Sequence, residues 1–369
     1  MYDIIIIGAG TAGISAYKEA IKHTQNILII NDGLWDTTCA RVGCMPSKIL
    51  ISTANRMHGI QQTDQLGLKV AATIDTSGVM PYLRQLRDRF TLSTLKDVAS
   101  WNKEHKISGQ AQFIDSQTIV VNQTHYQAKS FIIAVGSTPN MNKKYQDELG
   151  DRYITSDQIF ELDTLPQSLA VIGSGVIALE LAQAMQRLNV KTTVFARSKK
   201  VGSLTSFYLQ TLAQQELSKG LNFKFEILPT TVKADKNKVA ITFNEHGQEQ
   251  SIEVDYLLSA TGRSSHLDTL HLEKIESTFK DLKQLPVNLQ TKQLGKYPIF
   301  IIGDAYTTTP IQHEAAHEGR EVIDNCLNYP QINSLKTLTP LSIVFSQPEM
   351  AIVGQSFKQL TQSKIDFVT

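Results

Sequence analysis

Only three cysteines occur in the 369 residues, too few for the disulfide framework of a small secreted scaffold. Nowhere does the chain approach the ~18 continuous apolar residues that a membrane helix needs. No sign of charge dominates. With 36 basic and 35 acidic side chains, the formal net charge of +1 points neither to nucleic acid nor to an anionic membrane surface. The opening "MYDIIIIGAG" lacks a basic stretch and a small-residue cleavage site, and its four isoleucines run into glycine as a buried strand does, unlike a signal peptide. These absences lead us to expect a cytoplasmic protein of two or three domains with neither nucleic-acid nor membrane partners. In that compartment a close cysteine pair reads as catalytic or metal-binding rather than structural.

What is present begins with glycine. In "IIIIGAGTAG", strand Ile4–Ile7 meets Gly8-x-Gly10-x-x-Gly13, and helical apolar spacing follows. Gly8 permits a tight turn, Gly10 lets backbone N–H groups approach a pyrophosphate, and Gly13 lets the helix pack on the strand. The phosphates then lie at a helix N-terminus, where the macrodipole favours negative charge. The pattern recurs 165 residues later in "SLAVIGSGVIALELAQAMQ", as Gly173-x-Gly175-x-x-Ala178. Two such units imply two dinucleotides, most simply a flavin and a nicotinamide.

The repeat compares with itself. A ribose-binding acid is expected about 20 residues beyond each fingerprint. The first unit has Asn31 and Asp32 there; the second has Ala196 followed by Arg197, Lys199 and Lys200. An acid repels a 2′-phosphate and arginine attracts one, so the second site favours NADP over NAD. Three further strands end in small-residue turns open to a nucleotide: "FIIAVGSTPN" at Gly136, "YLLSATGRSS" at Gly262 and "YPIFIIGDAYTTTP" at Gly303-Asp304. Asp304 could accept a hydrogen bond from a ribityl hydroxyl.

"TTCARVGCMPSKIL" holds Cys39 and Cys44 with four residues between them. A zinc site would want two further cysteine or histidine ligands in a matching pair, and Cys326 lies far away in a helical stretch. Pro46 suits a first helical turn, which puts Cys44 just before a helix N-terminus, where the dipole and Lys48 favour the thiolate. A redox disulfide that opens by exchange is the chemical reading, and an inert buried pair the bland one. "HEAAH", His313 to His317, fits the zinc helix H-E-x-x-H, but it follows the Gly303-Asp304 turn and has no evident third ligand, so no metal is assigned.

In order, "GAGTAG", "TTCARVGCMPSK", "AVGSTP", "GSGVIALE", "ATGR" and "IGDA" resemble the class I pyridine nucleotide–disulfide oxidoreductases, most closely dihydrolipoamide dehydrogenase-like members, over essentially the whole chain. The resemblance implies an α/β fold of two Rossmann-like domains, with FAD on the first fingerprint and NAD(P) on the second. It implies that Cys44 is the flavin-proximal cysteine of a thiolate–flavin charge-transfer pair and that Cys39 is the interchange cysteine. By the same token Lys48 lies near flavin N5 with Glu180 as its ion-pair partner, Thr38 and Asp304 are flavin-side residues, and Val176 is the gate over the nicotinamide. The implied substrate is a small dithiol or disulfide.

Residues 1–154 and 271–340 are expected to form the FAD-binding domain, 155–270 the NAD(P)-binding domain, and 341–369 only the start of an α+β dimerisation domain. The family is a homodimer in which that last domain supplies a His–Glu base to the partner. Without the base, flavin reduction by NAD(P)H is expected to survive better than dithiol turnover. Two departures concern the flavin. Asp36 stands where glycine is usual and would repel a pyrophosphate unless it points to solvent. Asn31 replaces the usual ribose glutamate, which would shift that hydrogen bond to Asp32. The competing readings are an electron-transfer flavoprotein that bypasses the dithiol, and an inactive flavin-binding fragment.

Overall fold

A computed structural model describes residues 1–307 and 310–368; Thr308 and Thr309 of the "TTTP" stretch, and Thr369 of the expected last domain, lie outside the described residues. Mixed α/β structure resolves into two compact units. The first comprises residues 1–41, 89–138 and 263–338, the second residues 42–88, 139–262 and those from 339 on.

In the first unit, strands Lys106–Ser108, Ile27–Asn31, Tyr2–Ile7, Thr124–Ile133 and Ile299–Ile301 lie parallel in that order. Antiparallel strands Thr118–Val121 and Gln112–Phe113 extend the sheet from the first half of Thr124–Ile133. Side chains alternate across a pleated strand, and the isoleucine run makes that visible. Ile4 and Ile6 pack with Ala16, Tyr17, Val322 and Ile323 on one face. Ile5 and Ile7 pack with Phe113, Phe131, Phe279 and Leu285 on the other. Both faces are covered, which is why the strand carries no polar alternation. The register of Ile7 with Ile30 and Ile133, and of Ile133 with Ile301, brings four strand ends to one edge. Open α/β sheets bind ligands at that carboxyl edge.

Helices Thr11–Ala20 and Gln312–Asn328 pack on one another in this unit, and their closeness depends on Gly319, whose added Cβ would stand 2.3 Å from the Ala12 carbonyl oxygen. The amphipathic pattern at 82–105 predicts one long helix, but the observed helix, Val79–Ser100, stops short. Trp101 is buried, stacked on Tyr17 at 4.1 Å, and the Asn102 side chain accepts from Glu104 N–H to open a separate short turn.

The second unit repeats the plan. Strands Asn222–Phe225, Lys191–Ala196, Ser168–Ile172, Tyr256–Ser259 and Tyr153–Thr155 form a parallel sheet in that order. Leu169 and Val171 face helix Val176–Arg187 and Leu50, while Ala170, Ile172 and Phe195 face an antiparallel sheet of Thr231–Asp235, Lys238–Glu245 and Gln248–Val254. The hairpin Leu341–Val344 with Met350–Val353 is anchored by Val344 and Met350, which pack against Leu179, Val201 and Leu217. Among the described residues no helix is long and apolar enough to cross a membrane.

Candidate functional site

The first fingerprint sits at the carboxyl edge of its sheet. Gly8 takes φ +104°, and a methyl there would lie 2.3 Å from the Ala134 carbonyl oxygen, so only glycine fits the turn. Helix Thr11–Ala20 starts at once with Gly10 as its N-cap, and a methyl on Gly10 would meet nothing within 4 Å. The space in front of that helix end is open, as a phosphate requires. Gly13 is needed for a different reason: its Cβ would stand 1.9 Å from the Gly8 carbonyl oxygen.

Asn31 does not reach outward. Its Oδ1 accepts from Ala9 N–H at 2.9 Å, inside the fingerprint loop, and its Nδ2 donates to the Leu34 carbonyl at 2.9 Å. Asp32 is exposed beside it. Asp36 corrects the expectation that it either repels or turns to solvent. The carboxylate is buried and ion-paired with Arg41 at 3.0 Å, so its charge is met within the protein.

Asp304 closes the same edge. Its Oδ2 accepts from the Ser137 hydroxyl at 3.4 Å, and Arg263 holds Ser137 through Nε to Oγ (2.9 Å) and Nη2 to the carbonyl (2.7 Å). Burial pushes the Asp304 carboxyl above its ordinary value; Arg263 and the Ser137 bond pull it back, and the charge of Glu318 adds to the rise. Glu318 also fixes the turn itself. It accepts from Gly303 N–H at 2.7 Å through Oε2 and pairs with Lys292 at 2.6 Å through Oε1. Nearby Gly136 is open, with nothing within 4 Å of an added methyl.

In the second unit Gly173 takes φ +128° with the same 2.3 Å approach to a carbonyl, here Ala260, and Gly175 again caps a helix and faces open space. Val176 is the helix's first residue, and Ala178 is fully buried where the first unit needs glycine. Ala196 is buried at the end of its strand, and Arg197 and Lys199 are exposed beyond it, Lys199 lying 3.6 Å from Glu226. Gly262 ends its turn with only the Asn140 amide at 3.2 Å.

Cys39 lies in the short helix Thr38–Val42, whose first residue, Thr38, is exposed; Cys44 is the first residue of helix Cys44–Gln61, with Gly43 as N-cap. The helix therefore includes Cys44 instead of starting after it. Both cysteines are half-buried, whereas Cys326 is buried and its thiol is pushed well up by that burial. One turn after Cys44, Lys48 meets the buried Glu180 with Nζ and Oε2 2.8 Å apart. Phe345, which sequence reasoning did not single out, contributes to that pair: its N–H donates to Glu180 Oε1 at 3.0 Å, and Lys48 lies 4.5 Å from the centre of its ring. Of the histidines in "HEAAH", His317 Nε2 contacts the Lys336 carbonyl at 2.5 Å and His313 lies 3.9 Å from Glu314. No group of three or more metal-ligating side chains forms among the described residues.

Comparison with known proteins agrees with this geometry. The chain is 28% identical to a dihydrolipoyl dehydrogenase of Geobacillus stearothermophilus over 99% of its own length and 78% of that protein's. It is 30% identical to a mercuric reductase of Staphylococcus aureus, over 100% of this chain and 67% of the relative. In fold it resembles LpdA of Mycobacterium tuberculosis (TM-score 0.80, 21% identity, 99% of this chain and 81% of that one). The flavoprotein disulfide reductase RclA of Escherichia coli is also similar (TM-score 0.77, 20% identity, 99% and 80%). Residues 2–319 match the pyridine nucleotide-disulphide oxidoreductase family, whose members bind FAD and a pyridine nucleotide. The chain belongs to the class I pyridine nucleotide-disulphide oxidoreductases.

Proposed function

We propose that the protein relays two electrons between NADPH and a small disulfide or dithiol, in the manner of dihydrolipoamide dehydrogenase, through the Cys39–Cys44 pair. The observation that carries this reading is the Lys48–Glu180 ion pair. It ties the helix that starts at Cys44 to the helix that starts at the second fingerprint. A dinucleotide phosphate fits the open space before Gly10 and before Gly175. FAD would be held by Gly8, Gly10, Gly13, Thr38, Gly136 and Asp304. NADP would be held by Gly173, Gly175, Val176, Ala178, Arg197 and Gly262. Bound FAD would supply hydride acceptance and reduction of the Cys39–Cys44 disulfide.

The protein's own part is thiol exchange. The Cys39 thiolate attacks a substrate sulfur, forming a mixed disulfide and releasing one substrate thiolate, which takes a proton. Cys44 then attacks Cys39, forming the internal disulfide and releasing the second thiol. The net reaction is NADPH, a proton and a disulfide giving NADP and two thiols, and it runs in either direction.

Cys44→Ser tests the reading. Turnover of a dithiol such as dihydrolipoamide should fall to background, while NADPH-driven reduction of an artificial acceptor persists. Dithiol turnover that survived the substitution would favour an electron-transfer flavoprotein that bypasses the cysteines. Family members are dimeric, and sedimentation of the purified protein would show whether this chain associates likewise.

A further inference from the structure

The segment Phe345–Gln347 lies along one face of helix Val176–Arg187. Glu180, Gln183 and Arg187 stand at i, i+3 and i+7 on that face, and each meets the segment. Gln347 N–H donates to Gln183 Oε1 at 2.7 Å, and Gln183 Nε2 returns a bond to the Gln347 carbonyl at 2.9 Å. Arg187 Nη2 donates to Gln347 Oε1 at 2.8 Å, and its other terminal nitrogen contacts Asn55. Two residues earlier, Phe345 N–H takes the Glu180 oxygen that Lys48 leaves, and the Phe345 ring lies against the Lys48 ammonium. The strap is held before and after by Val344 and Met350 in the core.

We infer that Phe345–Gln347 is a positioning strap for Lys48, with Phe345 holding the ammonium and Gln183 holding the strap. Two facts make the role specific. Glu180 is buried, so its second oxygen needs a donor, and among the described residues the Phe345 N–H supplies it. The Lys48 side chain is 39% exposed and has four rotatable bonds, so an ion pair alone leaves it free to swing. An aromatic face on the ammonium restricts that freedom. The consequence for electron transfer rests on the reading above, in which Lys48 works beside the flavin.

The test uses the full chain with its lysines ¹³C-methylated, the Lys48 signal being assigned by its loss in Lys48→Arg. Phe345→Leu keeps the backbone N–H and most of the bulk but removes the aromatic face, and Phe345→Tyr restores it. The Lys48 methyl signal should lose its ring-current shift in Phe345→Leu and keep it in Phe345→Tyr. Gln183→Ala should broaden or move it. Reduction of bound FAD by NADPH should slow about two- to fivefold in Phe345→Leu, with recovery in Phe345→Tyr and an unchanged NADPH KM. A Lys48 signal that is indifferent to Phe345→Leu overturns the strap. A signal that moves while flavin reduction does not slow keeps the strap and instead removes Lys48 from the proposed mechanism.

Discussion

The two fingerprints of this chain are alike in backbone and unlike in side chains. Each runs a buried strand into a glycine at positive φ, +104° at Gly8 and +128° at Gly173. Each of those glycines lies 2.3 Å, by an added Cβ, from the carbonyl of an alanine that follows a neighbouring strand. Each next glycine caps its helix with nearly the same angles, φ −76° and −77°. The differences lie at the third position, Gly13 against Ala178, and at the end of the second strand, Asn31 against Ala196 and Arg197. In the proposed reading phosphate binding would constrain the main chain, which both units share, and ribose and 2′-phosphate recognition would be left to side chains, where the units diverge.

The strongest way to break the comparison is to add one methyl to either turn. Gly8→Ala and Gly173→Ala both force a side chain into positive φ and against a carbonyl, a cost of about 1–3 kcal/mol or more. If the units are independent copies of one design, Gly8→Ala should purify without FAD yet retain NADPH binding, and Gly173→Ala should stay yellow yet lose NADPH binding. Flavin absorbance and calorimetric titration with NADPH would measure both. Loss of both ligands in either variant would show that the turns are not separable.

Asp304 sharpens the comparison from the flavin side. Its carboxyl is raised chiefly by burial, so ionisation opposes folding. For a group raised on folding, the stabilising proton is fully bound below the unfolded value of 3.8 and is lost as pH rises through the folded one. Asp304→Asn should therefore raise the melting temperature of the flavin-free protein at pH 7, by an amount that shrinks as pH falls towards about 4. The same change should weaken FAD retention roughly tenfold to a hundredfold, since a charge-assisted acceptor is lost. A variant no more stable at pH 7 than the parent would show that Arg263 and Ser137 already compensate the buried charge.

Much of this was legible in the sequence, and the exceptions share a cause. Strand, glycine and helix follow one another locally, so both fingerprints could be read directly, as could the strands that end at Gly136, Gly262 and Gly303. Side-chain partnerships could not, whether five residues apart or 165. Asp36 carries a charge that reads as a clash, and only the fold turns Arg41 onto it. Phe345 reaches Glu180 across 165 residues. In "HEAAHEG" the zinc-like spacing directs attention to His313 and His317, whereas the residue that fixes the Gly303 turn is the next one, Glu318. Its partner Lys292 belongs to a stretch with no motif.

On the nicotinamide side the comparison turns on Arg197. Ala196 is buried and offers no acid to a ribose, while Arg197 is exposed just past the strand. Arg197→Glu replaces attraction for a 2′-phosphate with repulsion. A charged hydrogen bond of about 1.5–3 kcal/mol predicts a loss of roughly ten- to a hundredfold in kcat/KM for NADPH. The value for NADH should change little or improve. Equal losses for both nucleotides would mean that Arg197 does not discriminate at all, and that the proposed preference for NADP has no basis in this strand end.

The smallest expected effect is at Asn31, the counterpart of Ala196. Its amide is spent on the loop, accepting from Ala9 N–H and donating to an exposed carbonyl at Leu34, so it stiffens the fingerprint instead of reaching a ribose. Asn31→Asp keeps the acceptor for Ala9 N–H and loses only the outer donor, a neutral hydrogen bond of about 0.5–1.5 kcal/mol at an exposed site. FAD affinity should fall about two- to tenfold at most. Asn31→Ala, which also frees the Ala9 N–H, should cost more than Asn31→Asp. If Asn31 instead bound the ribose through its Nδ2, Asn31→Asp would be the worse of the two, because it would set a carboxylate near the flavin's pyrophosphate while leaving the hydroxyls without that donor. The order of the two variants in FAD titration therefore decides whether the first unit recognises its nucleotide through this side chain or only through the loop that the side chain holds.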